Sequence, residues 1–427
     1  MTGRASDADG IRTDVRHWLS VAWDPERPLR EWREVLVASG WGCPTWPREW
    51  WGRGLDADLA TVVAEELRRV GAVGAAIGVG MSLAAPTILA HGNDDAKRRF
   101  LRPIATGAET WCQLFSEPGS GSDLAGLTTH ATRDGDEWVI NGQKVWTTGA
   151  HHAAYGMLLA RTNWDAPKHH GISFFALPMT QPGVEVRPLR QMNGRASFNE
   201  VFLTDARVPH ANLIGPLHGG WAVALTTLAH ERGLAATLFG SLPSGEGRTA
   251  REAMEEAAAY LKTYEWYPQR AGRPDLAPGL CRDTGRANDP VARQNVAGLH
   301  ALERAAQWTA ARARAARRAG RPPGPEGSVA KLLGSEIARR SAAVHAGLVG
   351  SHGMLVGPDA IAGGIVADVV LSTPAASIAG GTDEIQHNIV GERVLGLPKE
   401  PTLDADIPFR TVKTNRRPAA HAGGDPG

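Results

Sequence analysis

WCQLFSEPGSGSDLAGLTTHATRDGDEWVINGQKVWTTG, residues 111–149, decides how the whole chain is read. It opens on a short apolar run, Trp111-Cys112-Gln113-Leu114-Phe115, and turns at Ser116–Asp123. Gly119 and Gly121 let backbone amides come close to an anion, and Ser120 and Ser122 add hydroxyl donors. Two strand-like segments follow, 127–132 and 137–140, joined at Asp134-Gly135. A second turn at Asn141-Gly142 is expected to lead into Gln143-Lys144-Val145-Trp146-Thr147-Thr148. One β unit therefore carries an anion loop and, two turns later, a Trp followed by two hydroxyls.

On either side of this unit the pattern is helical. Residues 1–110 read as an N-terminal helical domain and 111–212 as a small antiparallel β-domain of short alternating runs. Residues 213–398 return to helix, with Gly320–Gly324 as a loop and Pro268–Gly279 as a longer polar connection. Residues 399–427, rich in Pro, Ala, Gly and basic side chains, read as a disordered tail. The fold class is α+β. The stretch 71–90 has no charge over 20 residues, but its four glycines and Pro86 favour a helix buried among helices over a membrane span.

The 427 residues suffice for two or three domains, and a formal net charge of +1 gives no electrostatic case for nucleic acid. Three scattered cysteines, Cys43, Cys112 and Cys281, fit a reduced, cytoplasmic setting. The leader MTGRASDADG reads as polar and frayed. His151-His152 and His169-His170 lack a third ligand at metal spacing and read as surface residues.

The order of helices, small β-domain and helices, with SEPGSGSD and KVWTTG inside the β-domain, resembles the acyl-CoA dehydrogenase family and its "TEPGAGSD" and "KxWITN" segments. The lead-in HGNDDAKRRFLRPI and the exit strand ending TDARVP are similar to that family as well. The resemblance implies an N-terminal helical domain, a middle β-domain and a C-terminal four-helix bundle, with FAD as cofactor. Matched by position, it puts Gln113, Phe115, Ser116, Gly121 and Ser122 in a first flavin segment and Trp146, Thr147 and Thr148 in a second. Trp146 would pack on the isoalloxazine and Thr148 would point at N5. Arg286, Gln294, Gly347, Gly350, Thr382 and Glu384 complete the cofactor set, with Gly347 where the family usually has Gln.

The implied reaction takes an acyl-CoA, or an acyl-carrier-protein thioester, to the trans-2-enoyl thioester. A base removes the α-proton while the β-hydrogen leaves as hydride to the flavin. The commonest family position for that base is a Glu before Gly-Thr, and Gly380 stands there in IAGGTDEIQ, residues 378–386. The family's second solution is a Glu directly before an Arg on another helix. LAHERG, residues 228–233, supplies Glu231 and Arg232 there. Glu231 is thus the expected base, Arg232 orders its helix, and the Gly381 N–H serves the thioester carbonyl. Ser122 and Ser197 match positions that meet CoA. Asp383 and Glu384 stand in reserve.

The implied partners are an electron-transfer flavoprotein and further subunits, in a homotetramer, a dimer or a heterotetramer. The same fold would also suit a flavin oxidase or N-hydroxylase, or one subunit of a heteromeric dehydrogenase.

Overall fold

The computed structural model describes residues 2–237, 245–318, 324, 326–402 and 404–412. Helices α1 (Thr2–Ala22), α2 (Leu29–Ala38), α3 (Ala57–Arg69), α4 (Ala85–His91) and α5 (Asp94–Thr106) come first. Strands follow: β1 (Trp111–Leu114), β2 (His130–Asp134), β3 (Glu137–Thr148), β4 (Tyr155–Arg161), β5 (Ile172–Pro178), β6 (Val184–Leu189) and β7 (Phe198–Pro209). Then come α6 (Gly220–Thr237), α7 (Arg248–Lys262), α8 (Tyr267–Arg270), α9 (Ala277–Asp283) and α10 (Pro290–Arg318). The last are α11 (Glu326–Val349), α12 (Ile365–Ser372), α13 (Pro374–Ile378) and α14 (Asp383–Arg393).

By their contacts these elements sort into two compact units: residues 1–189 with 196–263 and 403–427, and residues 190–195 with 264–402. In the first, the sheet runs β1-β4-β2-β3-β7-β6, with β5 added on β4. Side chains alternate across a strand, so β4 and β5 each feed two cores. Met157, Leu159, Phe174 and Ala176 bury on one face, with Leu83, Phe100, Leu101, Val223 and Ala224 from the helices. Leu158, Ala160, Phe175 and Leu177 bury on the other with Ile140, Val201 and Val208. β4 and β5, expected as alternating runs, carry apolar side chains on both faces because both faces are buried. In the second unit, α9, α10, α11 and α12 pack around Leu280, Leu299, Val344, Leu348 and Val366.

Four local readings are corrected. The leader is helical from Thr2 rather than frayed, with Arg12 bonding Asp9 within the helix and Arg16 reaching Glu66 of α3. Asn141-Gly142 is not a turn, because β3 runs through it. The chain irregularity falls on β7, where Thr204 and Asp205 oppose Asn141, and Asn141 and Asp205 exchange two hydrogen bonds of 3.0 Å. A Cβ at Gly142 would sit 2.3 Å from Thr129 Oγ1, so Gly is needed there for close approach. Residues 268–279 contain α8 and the start of α9 rather than one polar connection.

The fourth correction concerns the C-terminus. Residues 404–412 dock on the loop after β4. Phe409 and Arg410 donate backbone bonds to Ala166 and Trp164, and Arg410 pairs with Asp165 at 2.6 Å. Phe409 is buried, 3.4 Å from the Arg161 guanidinium and beside the Trp164 ring. Composition alone reads this segment as disordered because one aromatic carries its anchoring. The remainder of the expected tail, 413–427, and residues 320–323 of the expected 320–324 loop lie outside the described residues.

Residues 71–90 form no single helix: Gly78 has φ +114°, a π-turn spans Gly80–Ala84, and α4 follows. The apolar stretch Ile361–Arg393 is likewise divided among α12, α13 and α14, the longest of 11 residues. A span needs about 20.

Phe409→Ala should undock the C-terminal segment, weakening its attachment by about 3 kcal/mol. Hydrogen exchange should then rise in 404–412 and 161–168 while the sheet stays protected. Unchanged exchange in both segments would show that Phe409 does not anchor them.

Candidate functional site

The anion loop is built on a buried charge. Glu117, directly after Ser116, accepts from Thr128 N at 2.8 Å, Thr128 Oγ1 at 2.9 Å and Thr129 N at 2.8 Å. Lys144 of β3 approaches it at 3.0 Å and also donates to the Phe115 carbonyl at 3.0 Å. Both side chains are almost wholly out of water. Burial opposes the Glu117 charge, but Lys144 and the Thr129 and Thr128 donors outweigh it and hold the carboxyl down to about 2. Burial pulls Lys144 below its ordinary value against the attraction of Glu117. With so many donors on the carboxylate we take the pair as ionised. A Val145 N to Ser116 O bond of 2.9 Å completes the link between loop and β3.

Within the loop, Ser120 turns inward and donates to Asp123 O at 2.5 Å, so its hydroxyl shapes the turn rather than facing a ligand. Gly121 and Ser122 are exposed, and their N–H groups find no acceptor among the described residues. Lys168 holds the far side, 2.7 Å from Asp123 and 3.1 Å from Asp404 of the docked C-terminal segment. Buried Arg161 donates to the carbonyls of Ala125 and Leu127 at the loop's exit. Phe115 is itself buried against Phe174, so its side chain is core and only its backbone is left for a cofactor.

The second segment ends in a bulge. Between the pairs Lys144↔Val201 and Thr147↔Asn199, Val145 and Trp146 oppose Glu200 alone. Trp146 takes φ +60° and is 57% exposed, its ring edge-on to Phe198. A bulky residue in the left-handed region is strained by about 1–3 kcal/mol and persists only where its surroundings enforce it. The bulge re-aims this one indole outward. Next to it, the Thr147 hydroxyl is buried without a hydrogen-bond partner among the described residues, and Thr148 is half-buried.

Glu231 lies on α6. Gly220 begins that helix so close to β5 that a Cβ would meet the Ser173 carbonyl carbon at 2.5 Å. From there Ala224, Thr227 and Glu231 recur at helical spacing along the inner stripe. Ala224 and Thr227 are fully buried, Thr227 is 2.9 Å from Thr87 Oγ1, and Glu231 is half-buried. Gln113 Nε2 of β1 donates to Glu231 Oε2 at 3.1 Å. The side chain of Arg232 lies outside the described residues.

In the second unit, Gly380 and Gly381 form a left-handed turn with φ +70° and +82°, and Gln386 Nε2 holds the Gly380 carbonyl at 3.0 Å. Thr382 caps α14 by accepting from Ile385 N. Asp383 is no free carboxylate, because Lys331 lies 2.6 Å away and Arg339 binds its other oxygen. Burial works against the charge, but these partners hold it far below the usual carboxylate range. Glu384 is exposed. Arg286 bonds Asp289 and the Gly347 carbonyl, which joins two of the expected cofactor residues. Gln294 and Gly350 are exposed, and Ser197, in the first unit, is half-buried.

The sequence reading missed the Glu117–Lys144 pair, although both residues lie inside the quoted motifs. It also missed the Gln113–Glu231 contact, whose only sequence signal is one amide in an apolar strand. A cofactor with a flat ring, polar ring edges and a pyrophosphate fits what is present. Trp146 offers an exposed indole, Thr147 an orphaned hydroxyl, and the loop two outward amides.

Comparison with known proteins gives the same three parts. Family models match for the N-terminal domain of acyl-CoA dehydrogenases at 9–108, the middle domain at 112–206 and the C-terminal domain at 281–395. The acyl-CoA dehydrogenase IpdE1 of Mycobacterium tuberculosis is 37% identical, over 92% of this chain and 99% of its own. Among solved structures, the ChsE4-ChsE5 complex from Mycobacterium tuberculosis covers 92% of this chain and 98% of its own, at 28% identity and a TM-score of 0.60. A structure titled Tcur3481-Tcur3483 steroid ACAD covers 92% and 98%, at 25% identity and a TM-score of 0.63.

Lys144→Met should strand the Glu117 charge and cost about 3–5 kcal/mol, seen as a lower melting temperature and lost FAD retention. Restoring neutrality with Glu117→Gln in the same chain should recover part of that loss. The Glu117 contribution is present above its ordinary 4.5 and should fade as pH falls toward about 2. A Lys144→Met protein as stable as the parent would show that the pair does not tie loop to strand.

Proposed function

Because the chain belongs to the acyl-CoA dehydrogenase family, FAD-dependent oxidoreductases acting on acyl-CoA, we propose that Glu231 is the base that takes the α-proton of the bound thioester. The observation that carries this reading is the placement of Glu231 on the inner stripe of α6, in hydrogen-bond contact with the strand that opens the first flavin segment. Gly380, at the family's commoner base position, has no side chain for the task, and Asp383 is committed to Lys331 and Arg339.

As the Cα–H bond breaks, its electron pair forms the new double bond and the proton goes to the Glu231 carboxylate. The β-hydrogen leaves with its own electron pair. FAD, when bound, supplies the acceptor for that pair. Gln113, Ser116, Gly121, Ser122, Trp146, Thr147 and Thr148 are the residues of the first unit that would hold it. The family resemblance adds Arg286, Gln294, Gly347, Gly350, Thr382 and Glu384 to the cofactor set. The Gly381 N–H is assigned to the developing negative charge on the thioester oxygen, where one such donor is worth roughly 10²–10³ in rate. Ser122 and Ser197 are assigned to the CoA chain, and electrons pass on to an electron-transfer flavoprotein.

The solved complexes of paired names and the one titled a steroid dehydrogenase favour a second reading at the level of assembly. In it this chain is one subunit of a heteromer acting on a bulky acyl group. Expression alone as yellow, soluble, active protein would count against it.

Glu231→Gln, assayed anaerobically with short, branched, long and steroidal acyl-CoAs and with an acyl-carrier-protein thioester, should bleach the flavin about 10²–10⁴ times more slowly. Undiminished bleaching with normal FAD content would remove Glu231 from the base role.

A further inference from the structure

β1 presents two faces. Cys112 and Leu114 enter one core, while Trp111 and Phe115 enter the other with Val223 and Ala224 of α6. Gln113 shares the second face by alternation and is the polar residue between two aromatic neighbours. An amide there needs partners, because an unpaired polar group in an apolar setting is costly. It finds one in Glu231, 118 positions away, at 3.1 Å. β1 itself is fixed in register on β4, with Gln113 opposite Met157. Glu231 has other contacts besides this one. Of the titratable groups on the same stretch, His230 precedes Glu231 on α6 and is held below its ordinary value by burial, and His91 of α4 bonds Thr226 of α6.

We propose that Gln113 is the positioning residue for the Glu231 base. The inference rests on the base reading above and adds a role for a strand residue that touches the cofactor segment. An amide N–H holding Oε2 fixes where Oε1 lies, and Oε1 is then the oxygen that meets the α-proton. The same bond favours the ionised carboxylate over the acid, so Gln113 also keeps the base deprotonated at lower pH. Gln suits the task because its amide carries no charge of its own. A Lys or Arg there would pair with Glu231 and take it out of use.

The test uses holoenzyme of Gln113→Leu and Gln113→Glu, with FAD content and melting temperature recorded for each. Anaerobic flavin reduction is followed against pH, using the acyl-CoA that reduces the parent enzyme fastest. In Gln113→Leu the acid limb of the rate should move up by about one pH unit, and the plateau should fall about tenfold. The half-saturating thioester concentration should change by less than about twofold. Gln113→Glu, which sets a like charge beside the base, should move the limb further in the same direction. An acid limb in its original place, with only FAD content or thioester affinity reduced, would make Gln113 a cofactor or packing residue and overturn the proposal. Glu231→Gln run alongside separates the two claims. Fast reduction in that protein defeats the base reading and this inference together. Slow reduction there with an unmoved limb in Gln113→Leu defeats this inference alone.

Discussion

A lysine ammonium and a glutamate carboxylate, both withdrawn from water and 3.0 Å apart, join two segments 27 positions distant along the chain. Desolvating two ions costs several kcal/mol each, and only excellent geometry with every remaining lone pair satisfied offsets that. Glu117 meets the condition through Thr128 and Thr129, and Lys144 through the Phe115 carbonyl. Such a pair adds little net stability over an apolar substitute, but it does dictate a register. The glycine-serine loop cannot drift from β3 without exposing one charge to an apolar interior. The outward indole of Trp146 and the outward amides of Gly121 and Ser122 are therefore held in one fixed relation.

The second constraint is the close approach of α6 to the sheet. Gly220 lets the helix start against the β5 backbone, and the stripe through Ala224 and Thr227 then carries the carboxylate of Glu231 to β1. Loop, strand bulge and Glu231 are thus parts of one compact unit. The C-terminal segment closes the same unit from the far side, through Phe409 on Arg161 and Asp404 on Lys168.

Much of this was legible in sequence, for physical reasons that differ by element. Short alternating runs bounded by turn residues marked the β-domain, and the SEPGSGSD and KVWTTG motifs marked the loop and strand that Glu117 and Lys144 join. The proposed base role of Glu231 starts from Gly380 standing at the family's commoner base position. What stayed hidden depends on long-range partners. Nothing in the KVWTTG segment marks Lys144 as buried until Glu117 is seen 3.0 Å from it. Asn141-Gly142 has turn chemistry, yet the bulge opposite it on β7 is set by Asp205. The docked C-terminal segment owes its order to Phe409, and composition cannot weigh a single aromatic that meets a buried guanidinium. Asp383 looks like a spare base in sequence, and Lys331 and Arg339 remove it from consideration only in three dimensions.

The central claim is that one carboxylate, Glu231, faces the reacting carbon. A crystal structure of the FAD-loaded enzyme with a non-reducible thioester analogue measures this directly. The account predicts a Glu231 oxygen about 3–3.5 Å from the thioester α-carbon, with the acyl chain between that oxygen and the flavin ring. A Glu231 side chain turned away from the α-carbon, with another acidic group in its place, would contradict it.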